Sequence, residues 1–400
     1  MTRRSCLGLG AASAFFAALP AARAAQSGSR AIRVSGVEPV VIKGPTRVAA
    51  LVLARVRTSA GIEGWGECFP WRAPGNAKEL RIPGLIRQLG DSLAGADALQ
   101  IGAFLERHSS RNTGLEWFAA LSAIEIALWD VLGQSAGLPV WQLLGGKVRE
   151  RIPLYANHGV FASARTSEER LARAIKIKEA GFTMFKWDPF RARGAVSADV
   201  IREELKEVAL FRESLGPDYL LAIDAHTRYS TESGLLAARE LERFRPVFFE
   251  EPVPPDALDG YRRIGAESPL PLASGERIST GRQARDILET RSIRYLQMEV
   301  GNVGGILPAF QMAAMAAAYD VQIAPHCWCG PIVTRAASQL CAAAPNLFRQ
   351  EYPSTAAEDA WEKELIDPPN EVRTGELLVA HRPGLGFRVN EKLLSSRRIE

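Results

Sequence analysis

Between Ile152 and Glu351 the chain alternates eight short apolar runs with amphipathic stretches. The runs lie near Ile152–Ala156, Thr183–Trp187, Tyr219–Ala225, Val247–Glu250, Pro271–Gly275, Ile293–Glu299, Val321–Pro325 and Leu347–Glu351. Ser167–Ala180, closed by Gly181 as a helix C-cap, exemplifies the stretches between them. Short runs this apolar, separated by helices, read as strands of a parallel sheet buried on both faces. Eight in succession predict an α/β fold of the (β/α) barrel type, whose functional groups sit at strand C-termini. A doubly wound sheet is the weaker alternative, because it does not gather polar groups from so many consecutive strands.

The strand ends carry those groups. Asp224, Glu250 and Glu276 follow apolar runs at two equal intervals of 26 residues. Three carboxylates converging at a barrel mouth repel one another unless a cation lies between them, and oxygen-only ligation favours Mg²⁺. Lys186 and Asp188 end the second barrel strand, His226 joins Asp224 on the third, and Glu299, His326 and Glu351 end the last three. Any one of these could be a solvated terminal residue, but a repeated strand-end position argues against that for the set. Glu251, next to Glu250, points the other way and reads as a structural partner; Glu250 keeps the equal spacing.

The preceding residues have another texture. Val37–Ile42, Ala49–Arg57 and Gly61–Glu67 read as a strand meander, followed by helical periodicity over Ile82–Leu93, Leu99–His108 and Leu115–Leu132. This predicts an α+β domain over residues 30–148, a barrel over 149–352, and a proline-rich, irregular segment over 353–400 packing back on the first domain. Residues 1–24 read as an export leader: Arg3-Arg4, an apolar run from Leu7 to Leu19, and Ala22-Arg23-Ala24 at a cleavage position. Paired arginines favour the twin-arginine route, hence a periplasmic location. Without the leader the net charge falls from +4 to +1, and no membrane span remains. A nearly neutral protein has no electrostatic footprint for nucleic acid. The remaining cysteines, Cys68, Cys327, Cys329 and Cys341, fit no zinc pattern and read as buried thiols, with a Cys68 bridge to Cys327 or Cys329 the alternative. His108 and His381 read as surface residues.

Longer motifs then narrow the reading. Ala123-Ile124-Glu125-Ile126-Ala127-Leu128-Trp129-Asp130 and Gly137-Leu138-Pro139-Val140-Trp141-Gln142-Leu143-Leu144-Gly145-Gly146 resemble the end of the capping domain in the enolase superfamily. Phe249-Glu250-Glu251-Pro252, Ser274-Gly275-Glu276-Arg277, Asn302-Val303-Gly304-Gly305 and Ala324-Pro325-His326-Cys327 resemble its mandelate racemase subgroup. The resemblance implies a capping domain on a modified (β/α)₇β barrel, a homo-oligomer, and Mg²⁺ held by Asp224, Glu250 and Glu276. It also implies proton abstraction α to a carboxylate, with the cation stabilising the charge that develops.

Within that resemblance His326 is the base, supported by the residue at Glu299, where the subgroup carries aspartate. The second strand departs as well: Lys186-Trp187-Asp188 stands where racemases carry two lysines. Asp224-Ala225-His226 is similar to the acid-sugar dehydratases of the galactonate type, which implies that His226 protonates the leaving hydroxyl. Lys186 orients the substrate carboxylate and Glu351 hydrogen-bonds it. Trp71, Arg72, Asn157, His158, Asp188 and Arg228 are expected to line the pocket. The expectation is a dehydratase converting an aldonic or aldaric acid into a 2-keto-3-deoxy acid. The alternatives are a 2-hydroxy-acid racemase or epimerase, and a periplasmic sugar-acid-binding protein with decayed catalysis. A metal-dependent hydrolase is disfavoured, since no His-x-His occurs.

Overall fold

The computed structural model describes residues 31–45, 50–69, 81–109, 114–157, 161, 164–353 and 357–399. The leader sequence, Trp71, Arg72 and His158 lie outside the described residues. Strands β1 (Val34–Lys43), β2 (Ala50–Thr58) and β3 (Glu63–Cys68) form an antiparallel meander. Helices α1 (Ile82–Leu93), α2 (Ile101–Ser109) and α3 (Leu115–Ala136) follow. β3 lies against α3 so closely that a Cβ at Gly64 or Gly66 would strike the carbonyl of Ala127 or Ala123. This accounts for the two glycines flanking Trp65. Helix α3 is buried around most of its circumference, as expected for a helix enclosed on several sides. Its end is set by Gly137 in the left-handed region (φ +68°), with Leu138 N donating to Gly133 O.

A short helix α4 (Val140–Leu143) leads into the barrel. Its strands are β4 (Arg151–Ala156), β5 (Met184–Trp187), β6 (Leu220–Asp224), β7 (Phe249–Glu250), β8 (Leu272–Ser274), β9 (Ile293–Leu296), β10 (Gln322–Ile323) and β11 (Gln350–Tyr352). Between them run α5 (Ser167–Glu179), α6 (Ala198–Leu215), α7 (Thr231–Leu241), α8 (Leu258–Glu267), α9 (Gly281–Glu289), α10 (Ile306–Ala317) and α11 (Pro331–Ala343). β4 to β10 pair in parallel in chain order. β11 closes the ring, parallel to β4 on one side and taking Pro325 O through Glu351 N on the other. All eight predicted strands are present, shortened because the chain leaves the ladder where it enters the mouth.

The segment after β11 is more regular than expected. It contains β12 (Ile366–Asp367), β13 (Val372–Arg373), β14 (Glu376–Leu378), β15 (Arg388–Val389) and α12 (Glu391–Arg397). β14 adds antiparallel to β4, and Ile399 N bonds Val41 O on β1, so the segment touches both barrel and meander. His108 departs from expectation: it is buried against Phe104 and Trp117, with Nε2 3.0 Å from Ser92 Oγ. His381 is exposed. All four described cysteines are buried, and no disulfide joins any two of them.

Three carboxylates from the first domain fasten it to the rest. Glu67 accepts from the backbone N–H groups of Gly330, Ile332 (3.0 Å) and Val333 (3.1 Å) at the start of α11. Glu125 accepts from Ile306 (2.7 Å) and Leu307 (2.8 Å) at the start of α10, and Asp130 from Leu385 (2.8 Å). Gly305 (φ +107°) lies so close to Glu125 that any Cβ would collide with its carboxylate. Orphan helix N–H groups and the positive end of the helix favour an acidic partner.

Burial nevertheless pushes Glu125 up to about 8, well above its ordinary 4.5. A carboxyl less acidic when folded binds extra proton in the native state. Its stabilising contribution is therefore complete below pH 4.5 and lost as pH rises through 8. Glu125→Gln removes that titration, and its stability relative to the parent is expected to gain about 3 kcal/mol between about pH 5 and pH 8. Urea unfolding across that range is the measurement. A constant difference at every pH contradicts the assignment.

Candidate active site

Asp224 ends β6 and Glu250 ends β7, and the two are register partners. Glu276 lies two residues beyond β8, past Gly275 (φ +143°), where a Cβ would collide with the Gln297 backbone. Asp224 Oδ1 accepts from the backbone N–H of His226 at 2.7 Å, a turn that holds His226 and Thr227 at φ +45° and +57°. Strained backbone of this kind persists where surrounding structure enforces it, often at functional sites.

The turn leaves Asp224 Oδ2 buried without a hydrogen bond, although His226 Nε2 approaches to 3.2 Å and Lys186 Nζ to 3.8 Å. One ligand atom each from Asp224, His226 and Glu276 lies within 4.8 Å of the others. A buried, oxygen-rich pocket with an unsatisfied carboxylate oxygen suits a hard divalent cation. Glu250 is differently engaged. Lys186 Nζ lies 3.0 Å from Oε1 and 2.9 Å from Oε2, and Gln297 Nε2 donates to Oε2 at 2.7 Å. Of the three acids singled out by spacing, Asp224 and Glu276 thus share the compact ligand group with His226. Glu250 stands beside them, neutralised by lysine.

The charges respond to this crowding. Burial raises Asp224 to about 6 and, reinforced by the charge of Asp224, raises Glu250 to about 8. Glu276 is also buried, yet His326 and Arg277 hold it well below the usual carboxylate range. Burial disfavours the ammonium of Lys186, but Glu250 and Glu351 outweigh it and raise the group further.

Each imidazole is held by a carboxylate. His326 Nδ1 lies 2.9 Å from Glu299 Oε2, with Nε2 3.1 Å from Glu276 and 3.8 Å from Glu351. Glu299 is itself fixed by the N–H groups of Gly301 (3.0 Å) and Trp328 (3.4 Å), so its longer side chain spans the gap to His326. Burial opposes protonation of His326, but Glu351, Glu276 and Glu299 push it up to about 10. His226 Nδ1 lies 2.8 Å from Asp188 Oδ2, which also accepts from Arg228 Nε at 3.2 Å. Burial opposes its charge too; Asp224 and the Asp188 hydrogen bond raise it to about 9. The two imidazoles flank one carboxylate cluster, one reaching Glu276 and the other Asp224.

Lys186 also reaches Glu351 at 3.2 Å. Glu351 accepts from Cys327 N (3.1 Å) and Tyr155 Oη (3.4 Å), and the side chain of Asn157 close by helps to keep it acidic. Glu251, at φ +35°, turns away and pairs with Arg277, which also binds Glu276. Gln297 and Arg277 were not singled out in the sequence. Arg277 follows directly on Glu276 in the motif, whereas nothing local marks Gln297.

The enolase C-terminal domain-like family model matches residues 169–393. The mandelate racemase / muconate lactonizing enzyme N-terminal domain model matches residues 31–145. The chain is 32% identical to a D-galactonate dehydratase of Pectobacterium atrosepticum, over 86% of this chain and 90% of that protein. It is 30% identical to a D-gluconate dehydratase of Thermoproteus tenax, over 92% and 74%. A crystal structure of a mandelate racemase/muconate lactonizing enzyme-like protein from Rubrobacter xylanophilus superposes with a TM-score of 0.84 at 29% identity, covering 92% of this chain and 98% of that one.

Proposed function

We propose that this chain, which belongs to the mandelate racemase / muconate lactonizing enzyme family of the enolase superfamily, is a Mg²⁺-dependent acid-sugar dehydratase. The observation that carries the reading is the pair of carboxylate-held imidazoles around one carboxylate cluster. Dehydration requires a base for the proton on C2 and an acid for the hydroxyl on C3. His326 takes the C2 proton; the electron pair forms the C2–C3 double bond; the C3–O bond breaks as His226 delivers a proton, releasing water. The resulting enol then tautomerises to a 2-keto-3-deoxy acid.

Asp224, Glu250 and Glu276 would hold Mg²⁺. When bound, the ion would draw charge from the substrate carboxylate, acidify the C2–H and offset the carboxylates that keep His326 protonated. Lys186 and Glu351 position the carboxylate. Asp188, hydrogen-bonded to His226 Nδ1, favours the protonated imidazole that an acid requires. Racemisation is less well supported, because Asp188 is occupied by His226 and Arg228 and leaves no second base there. A decayed binding protein fits poorly with the intact His326–Glu299 contact.

Incubating the Mg²⁺-loaded protein with a panel of sugar acids is expected to yield a semicarbazide-reactive keto acid from at least one. Exchange of the C2 proton with solvent deuterium and no keto acid would instead support the epimerase. Glu299→Asp, although it restores the subgroup's residue, is expected to lower kcat about tenfold, because the shorter side chain gives up its reach to His326. An unchanged kcat argues against the pairing. On the strength of the leader sequence we place the protein in the periplasm; osmotic-shock fractionation of the native host tests this.

A further inference from the structure

Beside His226 and Asp188 the barrel mouth opens into a cavity of about 520 Å³. Arg170, Arg191, Arg193, Arg228 and Arg277 line it, with Asp188 the one acid on its wall among the described residues. Arg170 is paired with Glu207, Arg277 with Glu251 and Glu276, and Arg228 shares Asp188 with His226. The Arg191 guanidinium donates, among the described residues, to the carbonyls of Phe190 (2.8 Å) and Asp188 (3.4 Å). Neither Arg191 nor Arg193 forms an ion pair among the described residues.

The loop that presents these two arginines is firmly built. Phe190 N bonds Asp188 Oδ1 (2.8 Å), while Arg191 N and Ala192 N both bond Glu204 Oε1 (2.5 and 2.7 Å). Gly194 exchanges backbone hydrogen bonds with the loop carrying Arg228 and Ser230 (2.7 and 3.0 Å). Two exposed guanidinium groups that form no ion pair among the described residues, carried on a firmly held loop beside the His226 imidazole, offer a receptor for an anion.

We propose that this wall binds a second anionic group at the far end of the substrate, remote from the carboxylate whose α-proton is removed. The inference rests on the dehydratase reading and narrows it. A six-carbon aldonate ends in a neutral hydroxyl and leaves Arg191 and Arg193 without a partner. An aldarate or a 6-phosphoaldonate supplies the missing charge, and both carboxylate and phosphate match the guanidinium fork.

The test compares aldarates, 6-phosphoaldonates and aldonates of each C2–C5 configuration. Affinity is read by calorimetry on Mg²⁺-loaded His326→Asn protein, and kcat/KM on the unsubstituted enzyme. Acids with a second anionic group are expected to bind about tenfold more tightly than the matched aldonate, and to lead by a similar factor in kcat/KM. Arg191→Gln with Arg193→Gln is expected to collapse that preference to within about threefold, by a loss confined mainly to the acids with a second anionic group. Whichever of the two leads identifies the group as carboxylate or phosphate. Equal or better use of the aldonate, or a preference that survives loss of both arginines, overturns the proposal. Selective binding of acids with a second anionic group, without any keto product, would sink the dehydratase reading and leave the anion site standing. Efficient dehydration of aldonates alone would do the reverse.

Discussion

Asparagine in place of His326 is expected to reduce keto-acid formation by about 10⁴-fold and to abolish exchange of the substrate C2 proton with deuterated solvent. The side chain is buried, held through Nδ1 by Glu299 at 2.9 Å, and presents Nε2 toward Glu276 and Glu351. No other described imidazole joins that side of the cluster, and the lysine at the mouth, Lys186, is committed to Glu250 and Glu351. Loss of turnover alone could reflect a damaged pocket. Loss of exchange, with substrate affinity retained, identifies the proton acceptor. Exchange at the parental rate in the variant would show that another group removes the proton.

His226→Gln should separate the two halves of the reaction. Keto-acid formation is expected to drop by about 10² to 10⁴, the usual contribution of a positioned acid. C2 exchange should continue, because the His326–Glu299 pair does not depend on His226. The leaving hydroxyl needs a proton that only a nearby protonated group can supply. His226 is raised to about 9 by Asp224 and Asp188 against the effect of burial. If exchange and elimination fall together by the same factor, His226 belongs to the ligand group and not to proton delivery. That outcome has a structural basis, since His226 lies in the compact cluster with Asp224 and Glu276.

Much of the fold was legible because it rests on local, periodic signals. Strands buried on both faces must be apolar, and the turn out of each strand is where a polar residue first becomes tolerable. The alternation therefore reveals both the barrel and the residues at its mouth: Lys186, Asp224, Glu250, Glu276, His326 and Glu351 do converge. What stayed hidden depends on partners far apart in the chain. The contact of Gln297 with Glu250 spans 47 residues, and that of Glu67 with the start of α11 more than 260. Burial of His108 arises from packing against Phe104 and Trp117, which no local polarity pattern betrays. The arginine wall is scattered over helix α5, the loop after β5, the turn after β6 and the segment after β8, so its charge becomes visible only once the barrel closes.

The engagement of Glu250 is the point at which spacing and geometry pull apart. Equal intervals group it with Asp224 and Glu276, whereas its carboxylate is taken by Lys186 and Gln297. Both arrangements place the cation demand at the same strand ends.

Chelator-treated enzyme titrated with Mg²⁺, with keto acid measured at each addition, addresses that demand directly. The account expects negligible turnover in the stripped protein, recovery that saturates at one ion per chain, and no recovery when Asp224 is replaced by Asn. Full turnover by stripped protein, or undiminished recovery in the Asp224→Asn variant, would contradict it.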